Sequence, residues 1–463
     1  MNRKTSPVYI AVFLYRFAFL LIAVPLQAVF FRGLAPQTAV YIYRTDIALI
    51  FIITLWAVIS HRHIFFCTDK RTLLTRKGLI ISQKNKIFTA TFDTLSLSQG
   101  LIFRLLKVCK SEVQASHSKT SLYLSTKDSF RLLQNFTDET SDSKEPLHRS
   151  SAFSAFVFSI GFSGALTGLL SAIPLLRNIA GIIGENQTQN LLASADLWYY
   201  AGYTALPPFL RTLSTLFLIF WAVGALAEFC RFYNLQTKIR KDHIITCHGL
   251  IGKHCNVLRK EAISALCFRQ SIFFALLGVF TAEVYIPSAG RENKLPLLLA
   301  SRKNKCKALL SSLYFPQKRK PTFNLTPPSN TLWGYVWKPF LFLLFFCVLC
   351  IGTDSLSLYK TEIHLAMFFV TWGISWFVFC AVSHRYSELC CEESWLIIRT
   401  SKALSFIEVH IPEEKIRVVK ITQSIFQKRK GVCNLRVYVR SRSRQSFLIR
   451  HIDKNKTAQL TNL

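Results

Sequence analysis

The side chains of this sequence best placed to do chemistry are cations. Lys70-Arg71 with Arg76-Lys77, and Lys428-Arg429-Lys430, form short basic runs; Arg302-Lys303 with Lys305 and Lys307, and Lys318-Arg319-Lys320, add two more. Runs of this kind bind anions. Beside an anionic leaflet each basic residue gains about 1 kcal/mol, and a nucleic-acid backbone offers the same charge. No aromatic stacking motif accompanies the runs, so no nucleic acid is expected. Anionic headgroups of membrane lipids are the expected partners, with Lys70, Arg71, Arg76, Lys77, Lys428, Arg429 and Lys430 as candidate contacts. Part of the same charge also serves as a plain topology signal.

Catalytic chemistry finds no such footing. The sequence has no His-Glu-x-x-His, no phosphate-binding Gly-rich loop and no Gly-x-Ser-x-Gly. Ser357 and Lys360 match a Ser-x-x-Lys pattern without any partner motif. The 11 His are scattered, with His61, His63 and His384 at the ends of apolar segments. None of the 13 Cys has metal-site spacing with His support, and Cys390-Cys391 are adjacent. The expectation is a protein that is not an enzyme, with no catalytic residue, no metal, no cofactor and reduced thiols without disulfides. Arg16 is the one candidate intramembrane polar site. It lies about eight residues into an apolar segment, roughly 12 Å deep. It either snorkels to the headgroups or belongs to a transporter or lipid-handling site, the alternative function.

The elements that must position these groups are of two kinds. The composition is 51% hydrophobic with 39 Phe, yet the net charge is +32. That pairing suits apolar spans joined to basic domains on one side of a membrane. Six segments have the length expected of a span: Val8–Phe31, Tyr41–Ser60, Ala152–Leu176, Ala205–Cys230, Leu332–Ile351 and Ile363–Val382. The stretches after the second, fourth and sixth hold 15, 17 and 16 of the 57 Lys and Arg. The positive-inside rule then predicts a multi-pass plasma-membrane protein with both termini cytoplasmic.

The second kind of element repeats three times. An apolar segment leaves through "AVISHRH", "ALAEFCRFY" or "AVSHRYS", and Gly78-Leu79, Gly249-Leu250 or Ala403-Leu404 follows. Then comes a Gln with a small residue and a hydrophobic pair, at Gln99, Gln270 and Gln423. Gly78 to Gln99 and Gly249 to Gln270 both span 21 positions. Around these marks lie short alternating strands and a closing helix pattern, the grammar of a small barrel. Lys107 stands where the other copies have Gly278 and Gly431, and Lys402 where they have Gly78 and Gly249, so those turns are expected to differ in shape.

"SLSQGLIFRLLK", "LCFRQSIFFALLG" and "IPEEKIRVVKITQSIFQKRKG" together resemble the bacterial pleckstrin-homology-like domain of the second type, in its YdbT-like group of membrane proteins with three domain copies. The resemblance implies a split barrel capped by a C-terminal helix. It also implies a scaffold or lipid-surface module linked to envelope stress, with a protein partner at the membrane. The expected fold class is an α+β membrane protein: six transmembrane helices in three hairpins, each followed by a small PH-like split β-barrel with a C-terminal helix. The hairpins are placed at 1–60, 152–230 and 332–383, the domains at 61–137, 231–315 and 384–463, and linkers at 138–151 and 316–331.

Overall fold

The computed structural model describes residues 3–15, 36–69, 72–78, 82–115, 118–137, 148–162, 208–240, 242–286, 294–313, 323–355, 360–392, 394–402, 404–440 and 445–457. The chain divides into two compact units, residues 1–147 with 238–262 and residues 148–237 with 263–463.

In the first unit, β1 (Arg3–Lys4), α1 (Val8–Tyr15) and α2 (Pro36–Arg62) lead into β2 (Phe65–Thr68), β3 (Thr72–Lys77) and β4 (Gln83–Phe88). These strands form an antiparallel sheet in the order β1-β2-β3-β4. A second antiparallel run follows: β5 (Phe92–Gln99), the short α3 (Leu101–Leu105), β6 (Val108–Ala115) and β7 (Lys119–Ser125), closed by α4 (Thr126–Thr137). The outer edge of β5 is taken by β11 (Lys253–Arg259), which pairs in turn with β10 (His243–His248). Ser125 caps α4, its hydroxyl accepting from the Asp128 N–H at 3.2 Å and donating to the Asp128 carboxylate at 2.8 Å. The apolar spacing of α4 then buries Leu132, Leu133 and Phe136 against Leu73, Ile87, Phe92, Leu95 and Leu122 of the strands.

The second unit begins with β8 (His148–Arg149), which pairs with β9 (Gln236–Ile239) across α5 (Ala152–Phe162) and α6 (Pro208–Phe232). Its central strands are β12 (Ala265–Ser271), β13 (Val279–Tyr285) and β14 (Lys294–Arg302), with α7 (Ile272–Leu276) between the first two and α8 (Lys303–Leu313) behind. β15 (Phe323–Leu325), α9 (Leu332–Ser355) and α10 (Lys360–Tyr386) precede β16 (Glu388–Glu392), β17 (Trp395–Lys402) and β18 (Ser405–Pro412). These strands make one seven-stranded antiparallel sheet, β14-β13-β12-β18-β17-β16-β15. A three-stranded sheet closes the chain: β19 (Ile416–Thr422), β20 (Val432–Val439) and β21 (Ser446–Asp453), with α11 (Ile425–Arg429) and α12 (Lys454–Thr457). The largest core of this unit gathers Cys267, Leu389, Ile398, Val409, Ile411, Leu435, Val437 and Ile449.

Local devices recur. A short strand pairs with the first strand after a helical segment in β1–β2, β8–β9 and β15–β16. His61 Nε2 lies 3.0 Å from the Thr5 carbonyl and His384 Nε2 lies 3.2 Å from the Pro328 carbonyl, tying helix ends to the preceding segment. The turn before β6, β13 or β20 is left-handed in all three places, with φ of 52° at Lys107, 63° at Gly278 and 66° at Gly431. The expected difference in shape is therefore absent there, and a lysine carries the strain that glycine avoids. At the other turn Leu404 has φ 56° beside 116° and 113° at Gly78 and Gly249. A left-handed non-glycine residue costs roughly 1–2 kcal/mol, so Lys107→Gly is expected to stabilise the first unit by up to about 1 kcal/mol, net of glycine's greater unfolded-state entropy. Chemical denaturation of the two proteins checks it.

Six spans in three hairpins are not found among the described residues. The fold is α+β, with the described strands arranged in four antiparallel sheets. Among the described residues one helical stretch, Ser329–Leu349, is long and apolar enough to cross a membrane, with 21 residues and mean hydropathy 1.8. Ile47–Arg62 and Ala152–Gly161 are apolar but shorter. The rest of Val8–Phe31 and Ala152–Leu176 lies outside the described residues. The count of six followed apolar runs, and a run sets neither the ends of a helix nor its length. The thiols differ from expectation as well. Cys247 and Cys255 face each other across β10 and β11 and are joined by a disulfide, with Cα atoms 4.2 Å apart. Cross-strand pairing supplies the proximity that spacing in the sequence does not express.

Candidate functional site

The second unit holds a cavity of about 1290 Å³. Arg231 and Phe232 reach it from α6, Cys267 and Arg269 from β12, Glu283 and Tyr285 from β13, and Lys294 from the start of β14. Tyr335, Lys338 and Pro339 come from the first turns of α9, inside the candidate span, and Trp376, Phe379 and Ser383 from α10. Lys402 of β17, Arg436 of β20 and Arg450 of β21 complete the wall. Seven cations (Arg231, Arg269, Lys294, Lys338, Lys402, Arg436 and Arg450) thus meet two carboxylates, Glu228 and Glu283.

Both carboxylates are already matched. Glu283 is buried and faces Lys294 Nζ at 3.7 Å, and Glu228 lies 4.0 Å from Arg231. Lys294 also sits 5.2 Å above the Tyr285 ring. Arg269 Nη2 donates to Ser405 Oγ at 3.3 Å, which fixes its direction. The floor is locked by main-chain bonds: Tyr335 OH donates to the Arg450 carbonyl at 2.9 Å, and Thr400 Oγ1 donates to the Leu448 carbonyl at 2.8 Å. Burial pushes both the Cys267 thiol and the Tyr285 phenol upward, so each stays protonated at neutral pH. What the arrangement offers is an excess of positive charge, most of it on exposed side chains, beside aromatic and aliphatic walls. It suits a molecule with an anionic head and an apolar body. Trp333 and Trp337 are exposed at the start of α9.

The described residues singled out from the sequence lie elsewhere. Lys70, Arg71 and Arg16 fall outside the described residues. Arg76 is exposed on β3. Lys77 is half-buried, donates its Nζ to the Ser121 carbonyl, and has its pKa lowered by that burial. Lys428 and Arg429 are exposed on α11. Lys430 Nζ donates to the Asn330 carbonyl at 3.2 Å. Of those that are described, none lines the cavity.

The glutamines form turns. Gln270 Nε2 donates to the Val279 carbonyl at 3.3 Å and Gln423 Nε2 to the Val432 carbonyl at 2.9 Å, each nine positions on. The small residue that follows caps the short helix: Ser271 Oγ accepts from the Phe274 N–H, and Ser424 forms a capping box with Gln427. Gln99 ends β5 ahead of α3, where Gly100 stands without a side-chain cap. Of the hydrophobic residues after them, Leu101, Ile102, Ile425 and Phe426 are exposed and Phe274 is buried.

The cavity's cations escaped the sequence reading as an anion site because none belongs to a basic run; Arg231 stood out only as the arginine of a recurring helix exit, Arg269 as part of the glutamine motif and Lys402 as the residue in place of a turn glycine.

Comparison with known proteins adds two findings. The family model described as the bacterial PH domain matches residues 15–139 and 340–463. The UPF0699 transmembrane protein YdbT of Bacillus subtilis (strain 168) is 19% identical over 433 residues, covering 85% of this chain and 83% of that protein.

Proposed function

The chain belongs to the bacterial PH domain family, and from that premise we propose that it is a membrane-associated, non-enzymatic scaffold whose second unit holds an anionic amphiphile. The carrying observation is the cavity with seven cations over two carboxylates, walled in part by the first turns of the candidate span. A membrane anion brought there exchanges water for guanidinium and ammonium groups, and its apolar body meets Trp376, Phe379 and Phe447. The name of the Bacillus relative as a transmembrane protein supports the same location.

A third PH-like copy between the two matched stretches is part of the proposal. Its support is the recurrence of the Gln turn, the left-handed residue and the short pairing strand at residues 148–302. The link to envelope stress rests on the family resemblance alone.

The reading is tested by charge removal. Lys402→Gln with Arg450→Gln takes two cations from the cavity while leaving the Tyr335 bond to the Arg450 carbonyl available. At about 1 kcal/mol each near an anionic surface, the pair should weaken retention of phosphatidylglycerol by about 30-fold. Protein reconstituted in nanodiscs and delipidated in steps gives the measurement. Retention equal to that of the unaltered chain sinks the proposal.

A further inference from the structure

We propose that the outer edge of β19 is a docking site for a β-strand of a partner protein, apolar on one face and carrying carboxylates on the other. β5, β12 and β19 each run into the glutamine and the short helix described above. β5 is covered along its outer edge by β11, with Leu95 opposite Val257 and Leu97 opposite Cys255. β12 is covered by β18, with Leu266 opposite His410 and Phe268 opposite Glu408. β19 pairs with β20 on one side and ends its sheet on the other, among the described residues.

Burial follows the cover. Four positions before the glutamine, Leu95 is 0% exposed, Leu266 4% and Val419 37%. Two positions before it, Leu97 and Phe268 are each 8% exposed and Ile421 is 39%. The same two places are core where a strand lies alongside and surface where none does. Alternate N–H and C=O groups of an edge strand point outward and take an antiparallel strand by main-chain hydrogen bonds.

Charge selects the occupant. Arg417 and Lys420 are exposed on β19 itself, and Lys428 and Arg429 follow on α11. A second copy of this chain is disfavoured: its net charge is +32, and β4, which ends its own sheet among the described residues, carries Lys84 and Lys86. β18 shows the pattern that fits, alternating Ile407 and Val409 around Glu408.

The test uses full-length protein in mild detergent and a labelled synthetic peptide of residues 405–412, "SFIEVHIP", followed by fluorescence anisotropy. The unaltered protein is expected to bind it. Val419→Asp with Ile421→Asp should weaken binding about tenfold or more through lost apolar contact and carboxylate repulsion. Val419→Thr with Ile421→Thr, which keeps strand propensity, should give a smaller loss at unchanged thermal stability. The peptide made with Glu408→Lys should bind more weakly than the original. The proposal is overturned by absence of binding, by equal binding to the Asp variant, or by equal binding of the Lys peptide. It is also overturned if sedimentation shows self-association that the Asp variant abolishes, since a second copy then covers the edge.

Discussion

Phe92→Ala is expected to cost the first unit about 3–5 kcal/mol, the range for removing a buried aromatic ring and leaving its cavity. Phe92 is fully buried at the start of β5. Its ring meets Phe136 of α4 edge-on at 4.9 Å and stacks with His243 of β10 at 5.5 Å. One side chain therefore holds together the closing helix, the sheet and the strand that arrives from residue 243. Denaturation followed by hydrogen exchange should show protection lost together at Leu132 to Phe136 and at β10 and β11. Loss confined to α4 would mean that His243 contributes little.

Acid should weaken the second unit through Glu408. Burial alone raises this carboxyl, but the hydrogen bond and charge of His410 and the charge of Arg399 bring it down from 4.5 to about 2. His410 Nε2 lies 3.1 Å from one oxygen and Arg399 Nε 3.2 Å from the other, while Arg399 Nη1 also binds Glu388. Asn324 Nδ2 donates to Glu388 at 2.7 Å, so the network ties β15, β16, β17 and β18. The folded state holds this proton less tightly than the unfolded state does. Its stabilisation is complete above about pH 4.5 and is lost as pH falls through about 2. The amount at stake is about 3 kcal/mol. Glu408→Gln should lower stability at pH 7 and flatten its decline between pH 4.5 and 2. An unaltered decline in the variant would assign acid sensitivity to other carboxylates.

Those two networks mark where sequence reading reaches and where it stops. "SQG", "RQS" and "TQS" are legible because each acts within nine residues: glutamine to the carbonyl ahead, serine to the helix it caps. The closing helix α4 was legible from its apolar spacing and its Ser125 start. Lys107 misled because residue type was read as conformation, whereas the surrounding strands impose a positive φ on lysine and glycine alike. The pairing of β5 with β11 and of β12 with β18 leaves no local trace, since a repeat predicts the unit and not what lies against its edge. The compact units reflect this: their division falls between 262 and 263, inside the middle repeat expected at 231–315. The cavity was hidden for a related reason. Arg269, Lys294, Lys402 and Arg450 are isolated in the sequence, and strands far apart in the chain bring them to one wall. The runs that stood out, such as Lys428-Arg429-Lys430, stayed on the surface or took up main-chain carbonyls. Apolar run length, by contrast, was read too generously, and one helical stretch rather than six meets the requirement for a span among the described residues.

The central claim is that the second unit binds an anionic amphiphile, and native mass spectrometry tests it most directly. Full-length protein is purified in mild detergent and equilibrated with equal amounts of phosphatidylglycerol and phosphatidylcholine of matched chains. The cavity's excess of cations predicts adducts dominated by phosphatidylglycerol, with that preference falling in the Lys402→Gln, Arg450→Gln protein. Equal adducts of the two lipids on the unaltered chain would contradict the account.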